Sequence, residues 1–365
     1  MLHTFDSQNF ARHRIAVSRV IFAVITLISQ NISLGTEPLS DSTEDSNANR
    51  GWTIAIHGGA GTIPGEMTPA RETVYHTALR RALAAGSYVL AEGGSAVDAV
   101  EEAVRMLENE PIFNAGRGAV MTIDGTFELD ASIMDGTNMK TGAVAGIKVA
   151  SNPISVARAV MDQTDHVLIG GPAADRFAID NGFGSVSQEY FFTESRFESI
   201  QKRRQQQGLP PLENPAKRDS QGTVGAVARD QTGNLAAATS TGGRSGKMSG
   251  RIGDTPIAGA GNYAENTVVA VSGTGIGEEF IRHSASAQVA WFIKHGGMSV
   301  QQATEKVIHK ILKPDDGGMI AVGPSGIPVM IFSTTAMSRG YADAAGNVQT
   351  MIGRDDAPNP SQSQP

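Results

Sequence analysis

The sequence predicts an α+β fold. Amphipathic helices come in pairs between strands, the strands return through tight glycine-containing turns as antiparallel neighbours do, and the strict strand–helix alternation of a doubly wound parallel sheet is missing. At 365 residues the chain exceeds what one core usually needs, yet a single α/β domain can reach about 250–300 residues. A net charge of −7 disfavours nucleic acid or an anionic membrane as partner and leaves a small molecule. The absence of cysteine excludes disulfides, a thiolate nucleophile and zinc–thiolate sites. Eight histidines are scattered without metal-ligand spacing.

Taken in order, residues 1–35 read as an export signal. Arg12, His13, Arg14 and Arg19 precede the apolar run 20–28, and Ser33 and Gly35 supply small residues for cleavage. An uncleaved anchor is the alternative, although the run is short for a bilayer. Residues 36–50, acidic and rich in Ser and Asn, form a flexible linker. The strand 52–56 then enters His57-Gly58-Gly59-Ala60-Gly61, a turn able to present backbone N–H groups to an oxyanion or a phosphate. Helices are expected over 69–91 and 95–108, the second capped by Ser95. A tight loop, 107–118, leads to a hairpin of 119–122 with 126–134. A strand over 141–150 and helices over 153–163 and 171–181 complete the first half.

Residues 194–222 carry Lys202-Arg203-Arg204-Gln205-Gln206-Gln207 and Pro210-Pro211 with almost no apolar face. They read as a flexible tail, or simply as a long surface loop. The tract stops abruptly at Gly222-Thr223-Val224-Gly225-Ala226-Val227-Ala228, a strand entered through a glycine. Scission between Gly222 and Thr223 would leave a threonine whose own α-amine, with an ordinary pKa of roughly 7.7–8.0, is suited to take the hydroxyl proton. A strand 235–239 returns Thr241 to the neighbourhood of Thr223. In Gly250-Arg251-Ile252-Gly253-Asp254 a cation and an anion lie three residues apart. Such a pair can grip an α-carboxylate and an α-ammonium, or can be an ordinary surface ion pair. A strand 268–272 delivers Gly273-Thr274-Gly275-Ile276-Gly277 into a helix over 278–294, a corner whose N–H groups and Thr274 hydroxyl can face an anionic oxygen. A helix over 299–312 and a hairpin of 318–322 with 329–334 follow, and 354–365 is expected to be loose.

These motifs occur together and in one order with Phe113-Asn114-Ala115-Gly116. Over about residues 52–345 the chain resembles the plant-type isoaspartyl peptidase/L-asparaginases, which are N-terminal-nucleophile hydrolases of the threonine type. The resemblance implies a four-layer αββα sandwich, and self-cleavage into an α chain (51–222) and a β chain (223–365) that together make one catalytic domain. It further implies a dimer of αβ heterodimers. Thr223 would be the nucleophile, with Thr241 hydrogen-bonded to it, and Thr274 with the Gly275 N–H would form the oxyanion hole. Arg251 would hold the substrate carboxylate and Asp254 its amine, with Ile252, Gly253, Ile276, Gly277 and Asn114 lining the site. His57 and the glycines after it would brace the nucleophile. No cofactor is implied for catalysis. The main chain of Leu107, Glu108, Glu110, Phe113, Ala115 and Arg117 would correspond to a structural sodium loop. Substrates would be L-asparagine and β-aspartyl dipeptides.

Two departures stand out. Family members commonly carry Phe-Asn-Thr-x-Gly-Met near the end, where this chain has Phe332-Ser333-Thr334-Thr335-Ala336-Met337, and most members are cytoplasmic. Three alternatives remain: a glycosylasparaginase within the superfamily, a serine α/β-hydrolase, which lacks its Gly-x-Ser-x-Gly elbow here, and an uncleaved exported ligand-binding protein.

Overall fold

The computed structural model describes residues 51–61, 67–212 and 223–353. The expected export signal, the linker, Gly222 and the residues after 353 lie outside them.

The large sheet has eight strands: β1 (Thr53–Gly61), β2 (Leu129–Asp135), β3 (Thr141–Ile147), β4 (Leu168–Gly170), β5 (Val224–Arg229), β6 (Leu235–Thr241), β11 (Ala336–Asp343) and β12 (Val348–Met351), in the order β12-β11-β1-β5-β6-β2-β3-β4. The small sheet is β10 (Pro328–Phe332), β9 (Gly317–Val322), β8 (Val269–Gly275) and β7 (Asn262–Glu265). Every pairing is antiparallel except that of β3 with β4.

Successive side chains of a strand point to opposite faces, so each strand of the large sheet feeds two cores. Ile54 and Ile56 of β1, Ala226 and Ala228 of β5, and Ala236 and Ala238 of β6 face one way. They meet Leu79 and Leu83 of α1 (Pro69–Ala91), Val100 and Val104 of α2 (Ala96–Asn109) and Val160 of α3 (Pro153–Gln163). Ala55, Val227, Leu235 and Ala237 face the other way, onto Ala264, Ala270, Ile320 and Val322 of the small sheet. The outer face of that sheet is covered through Phe280 of α6 (Gly277–His283), Val289 of α7 (Ala285–Lys294) and Ala303 of α8 (Val300–Lys306). Helix, sheet, sheet and helix are thus stacked, and the αββα sandwich is what forms. The layer between the sheets combines alanines with larger residues, Met134, Leu235, Ile320 and Met337 among them.

α2 begins where its Ser95 cap predicts, the hydroxyl accepting the Asp98 N–H, and the structure shows Thr68 capping α1 in the same way through the Arg71 N–H. Elsewhere the tertiary context changes the local reading. The supposed tail 194–222 starts as a helix, α5 (Glu194–Gln206), which follows α4 (Pro172–Asp180). Phe197 and Ile200 anchor it in the core, and buried Arg196 donates to the Gly118 carbonyl at 2.8 Å. Two apolar residues and one stem-forming Arg were enough to bury one side of a helix that looks polar by composition. The expected hairpin of 119–122 with 126–134 does not form; β2 pairs instead with β6 and β3. The helix expected over 278–294 breaks at Ser284, which sits in the left-handed region at φ 47°. The helix expected over 299–312 ends in a π-turn at Val307–Ile311. β7, β11 and β12 had no counterpart in the sequence reading.

Phe280 is fully buried, its ring against Gly273 and Gly317. Phe280→Ala should cost about 3–5 kcal/mol of stability, read as a lower urea midpoint. A loss below about 1 kcal/mol would show that the small sheet does not depend on its helical cover.

Candidate active site

At one end of the layer between the sheets, the apolar residues give way to polar ones on the same inward-facing positions. Along β1, Ala55 is followed two residues on by His57; along β5, Val227 is preceded by Gly225 and Thr223; along β6, Ala237 is followed by Thr239 and Thr241; along β8, Ala270 is followed by Ser272 and Thr274. The period of two therefore delivers four strands' polar groups to one place. His57, Thr239, Thr241, Ser272 and Thr274 are all buried.

Thr223 lies at the entrance to β5, and its Oγ1 is 3.0 Å from Thr241 Oγ1. Thr241 Oγ1 also accepts the Gly243 N–H at 2.9 Å, which leaves its own proton free to point at Thr223. The Thr223 carbonyl accepts from His57 Nδ1 at 3.2 Å. Thr274 Oγ1 accepts the Ala60 N–H at 3.2 Å, which ties the small sheet to the glycine turn after β1. A β-carbon on the next residue, Gly275, would stand 2.0 Å from the Asp316 carbonyl oxygen; only glycine fits this corner.

The loop 250–254 brings its two charges to the same corner. A β-carbon on Gly277 would stand 2.6 Å from Asp254 Oδ1 and 2.9 Å from Arg251 Nη2. Asp254 Oδ2 is buried with no hydrogen-bond partner among the described residues, and burial pushes its carboxyl up to about 7. An acceptor so placed is satisfied by an incoming cation. Arg251 is held side-on by Glu278, Nε and Nη2 each lying 3.0 Å from one of its oxygens. Ile252 is nearly half exposed at the rim. Asn114, expected to line the site, spends its side chain on the scaffold: it donates to the Gly243 carbonyl at 2.6 Å and accepts from Val120 N–H at 2.8 Å. It holds the turn that follows Thr241.

Beneath this loop lies a charged cluster that sequence reasoning missed. Lys247 Nζ donates to the Glu128 carbonyl at 2.7 Å, Glu128 Oε2 accepts the Gly250 N–H at 2.7 Å, and Lys148 Nζ is 3.1 Å from Glu128 Oε1. Burial lowers the Lys247 ammonium and raises the nearby Asp130 carboxyl, each partly offset by the other's charge. No local motif marks these residues, because they come from three separate segments.

Along 107–118, the last residues of α2 and the loop after it, main-chain oxygens pack against Gly116 and Gly118. A β-carbon on Gly116 would meet the Glu108 carbonyl oxygen at 2.4 Å, and one on Gly118 would meet those of Phe113 and Pro111 at 2.1 and 2.5 Å. Uncharged oxygens of this kind suit a hard alkali cation; no cluster of three or more His, Cys, Asp or Glu side chains suited to a metal occurs among the described residues. The Glu108 side chain does separate work. Fully buried and pushed up to about 8 by that burial, it accepts from Ser240 Oγ at 2.6 Å, Ile154 N–H at 3.1 Å and Asn152 Nδ2 at 3.0 Å. It thus joins α2 to the strand that carries Thr241.

Comparison with known proteins agrees with this arrangement. Residues 50–352 match the family described as asparaginase. The isoaspartyl peptidase of Salmonella typhimurium is 45% identical over 311 residues, covering 83% of this chain and 98% of its own. The isoaspartyl peptidase/L-asparaginase of Xenopus laevis is 43% identical over 288 residues, covering 78% and 90%, and that of Rattus norvegicus is 40% identical over 286 residues, covering 78% and 84%. The chain belongs to the asparaginase family of N-terminal-nucleophile hydrolases.

Proposed function

We propose that this protein is an isoaspartyl peptidase and L-asparaginase that matures by cutting itself between Gly222 and Thr223. The observation that supports the reading most is the 3.0 Å contact of the Thr223 and Thr241 hydroxyls, beside an arginine and an aspartate that converge on Gly277. In the intact chain the Thr223 nitrogen is an amide and cannot accept a proton. Scission converts it to an amine one carbon from the hydroxyl-bearing carbon, a base that travels with its nucleophile.

The amine takes the hydroxyl proton as Thr223 Oγ1 attacks the side-chain carbonyl of the substrate. Negative charge gathers on the former carbonyl oxygen, where Thr274 Oγ1–H and the Gly275 N–H stabilise it. The protonated amine passes its proton to the leaving nitrogen, and ammonia or an amino acid departs. Water then attacks the β-aspartyl ester and releases aspartate. Arg251 and Asp254 grip only the aspartyl half, so the leaving group is free to vary. Thr241 lowers the cost of the alkoxide by donating to it. The main-chain oxygens of the loop 107–118 would hold a structural sodium ion, which stiffens the segment under Asn114 and takes no part in the chemistry. We read the active species as a dimer of αβ heterodimers and the leader at 1–35 as an export signal.

Mass spectrometry of the purified protein tests the reading directly, since it reports a fragment beginning at Thr223. Thr223→Ala should remain uncut and lose both activities; a variant that still splits would remove the hydroxyl from the maturation step. Arg251→Ala should raise KM by roughly 100-fold with a smaller change in kcat, while self-cleavage proceeds. If Arg251→Ala stays uncut, the guanidinium serves maturation rather than binding. Because burial holds the Asp254 carboxyl near 7, its charge is lost as the pH falls through that value. KM should therefore drop as pH rises between roughly 5.5 and 8.5. A KM flat across that window would show that the substrate ammonium is held elsewhere.

A further inference from the structure

A row of three residues crosses three neighbouring strands behind the nucleophile. His57 of β1 is paired with Gly225 of β5, and Gly225 with Thr239 of β6. All three positions face the small sheet, and the middle one has no side chain. Ser272 of β8 enters that gap from the opposite sheet. Its Oγ lies 2.9 Å from His57 Nε2 and 2.7 Å from Thr239 Oγ1. A β-carbon at 225 would stand 2.1 Å from the Ser272 Oγ and 2.4 Å from His57 Nε2, so the contact exists only because 225 is glycine. His57, Thr239 and Ser272 are all fully buried.

Chemistry fixes the direction of the chain. The Thr223 carbonyl can only accept, so His57 Nδ1 carries the proton. The ring is neutral, burial having pushed it down to about 3, so Nε2 is an acceptor. Ser272 then donates to Nε2 and receives from Thr239. The Ala238 carbonyl lies 3.3 Å from the same Ser272 hydroxyl, but one proton serves one short bond, and the nitrogen is nearer.

The Thr223 carbonyl needs this support. The β1–β5 ladder ends at His57 and Gly225, and β1 shifts register between His57 and Gly59. Thr223 lies beyond the last pair, where chain ends fray. We propose that Ser272, backed by Thr239, is a positioning residue for the nucleophile: it occupies Nε2 and anchors the His57 ring, and His57 in turn holds the Thr223 carbonyl so that the hydroxyl stays aimed. This rests on the reading of Thr223 as the nucleophile.

The test uses Ser272→Ala, Thr239→Val, His57→Asn and the double variant His57→Asn/Ser272→Ala in the full chain. Asn supplies an amide N–H in place of Nδ1–H and nothing in place of Nε2. Scission is checked first by mass spectrometry, and an uncut wild type would sink both the nucleophile assignment and this proposal. On processed enzyme with a β-aspartyl dipeptide, Ser272→Ala should lower kcat about tenfold with KM within about twofold. Thr239→Val should act in the same direction but less. Added to His57→Asn, Ser272→Ala should cost nothing more, because the two act through one path. Unchanged kcat in Ser272→Ala, or losses that multiply in the double variant, would overturn the proposal. A second readout needs no turnover. In 15N-histidine spectra the signal that vanishes in His57→Asn should show a protonated Nδ1 and a bare Nε2, and in Ser272→Ala the Nε2 resonance should shift as its hydrogen-bond donor is lost while Nδ1 stays protonated. A wild-type His57 protonated at Nε2 would overturn the relay outright.

Discussion

The close approach of two sheets is the constraint on which the site depends. Each sheet lines the inner layer with apolar residues, among them Ala55, Ala237, Ala264 and Ala270 beside the larger Met134, Leu235, Ile320 and Met337, and at one end of that layer hydroxyl-bearing strands come within hydrogen-bond reach of each other. Where the lining changes from Ala55, Val227, Ala237 and Ala270 to His57, Thr223, Thr239 and Ser272, polar atoms from both sheets meet in direct hydrogen bonds. A larger side chain at 225 would force the sheets apart or displace Ser272. The polar end of the layer therefore depends on the tight packing of the dry end.

Burial raises the stakes for each polar group. His57 stays neutral because no compensating charge lies beside it, and its ring serves as a hydrogen-bond relay rather than as a base. Asp254 and Asp130 are both disfavoured as anions by burial, and the nearby Arg251 and Lys247 offset part of that cost. The substrate, in this reading, completes the set: its ammonium meets the unpartnered oxygen of Asp254, and its carboxylate competes with Glu278 for Arg251. Binding energy is then available at the aspartyl half, far from the departing group, where it can be applied to orienting the scissile carbonyl.

Rigidity and function are distributed unevenly over the fold. Thr223, the residue read as the nucleophile, stands just before β5, beyond the last ladder pair of β5 with β1, and is held by side chains instead. Thr241, His57 and, through them, Asn114, Gly243, Ser272 and Glu108 tie this one residue to both sheets and to α2. Such a scaffold does not rely on the chain in front of Thr223.

Much of this was legible in the residues themselves. The glycine before a threonine that opens a buried strand, the charge pair three residues apart, the Gly-Thr-Gly corner and the helix cap at Ser95 are local signals, since each depends on a few neighbouring residues and on short-range geometry. The family resemblance supplied their common meaning and the layered architecture. Tertiary structure alone decided what lies far apart in the chain. β11, which pairs with β1 along its length, reads as an unremarkable segment because its pattern is broken by Ser338, Arg339 and Gly340, residues made tolerable by cover on both faces. α5 looks like a solvated tail because Phe197 and Ile200 are too few to reveal a buried face until Gly118 is there to receive Arg196. Lys247, Glu128 and Asp130 form one cluster only once the strands are registered. Ser272 acquires its place from a gap that a glycine leaves in another strand, and no periodicity within a single segment can encode a contact between two sheets.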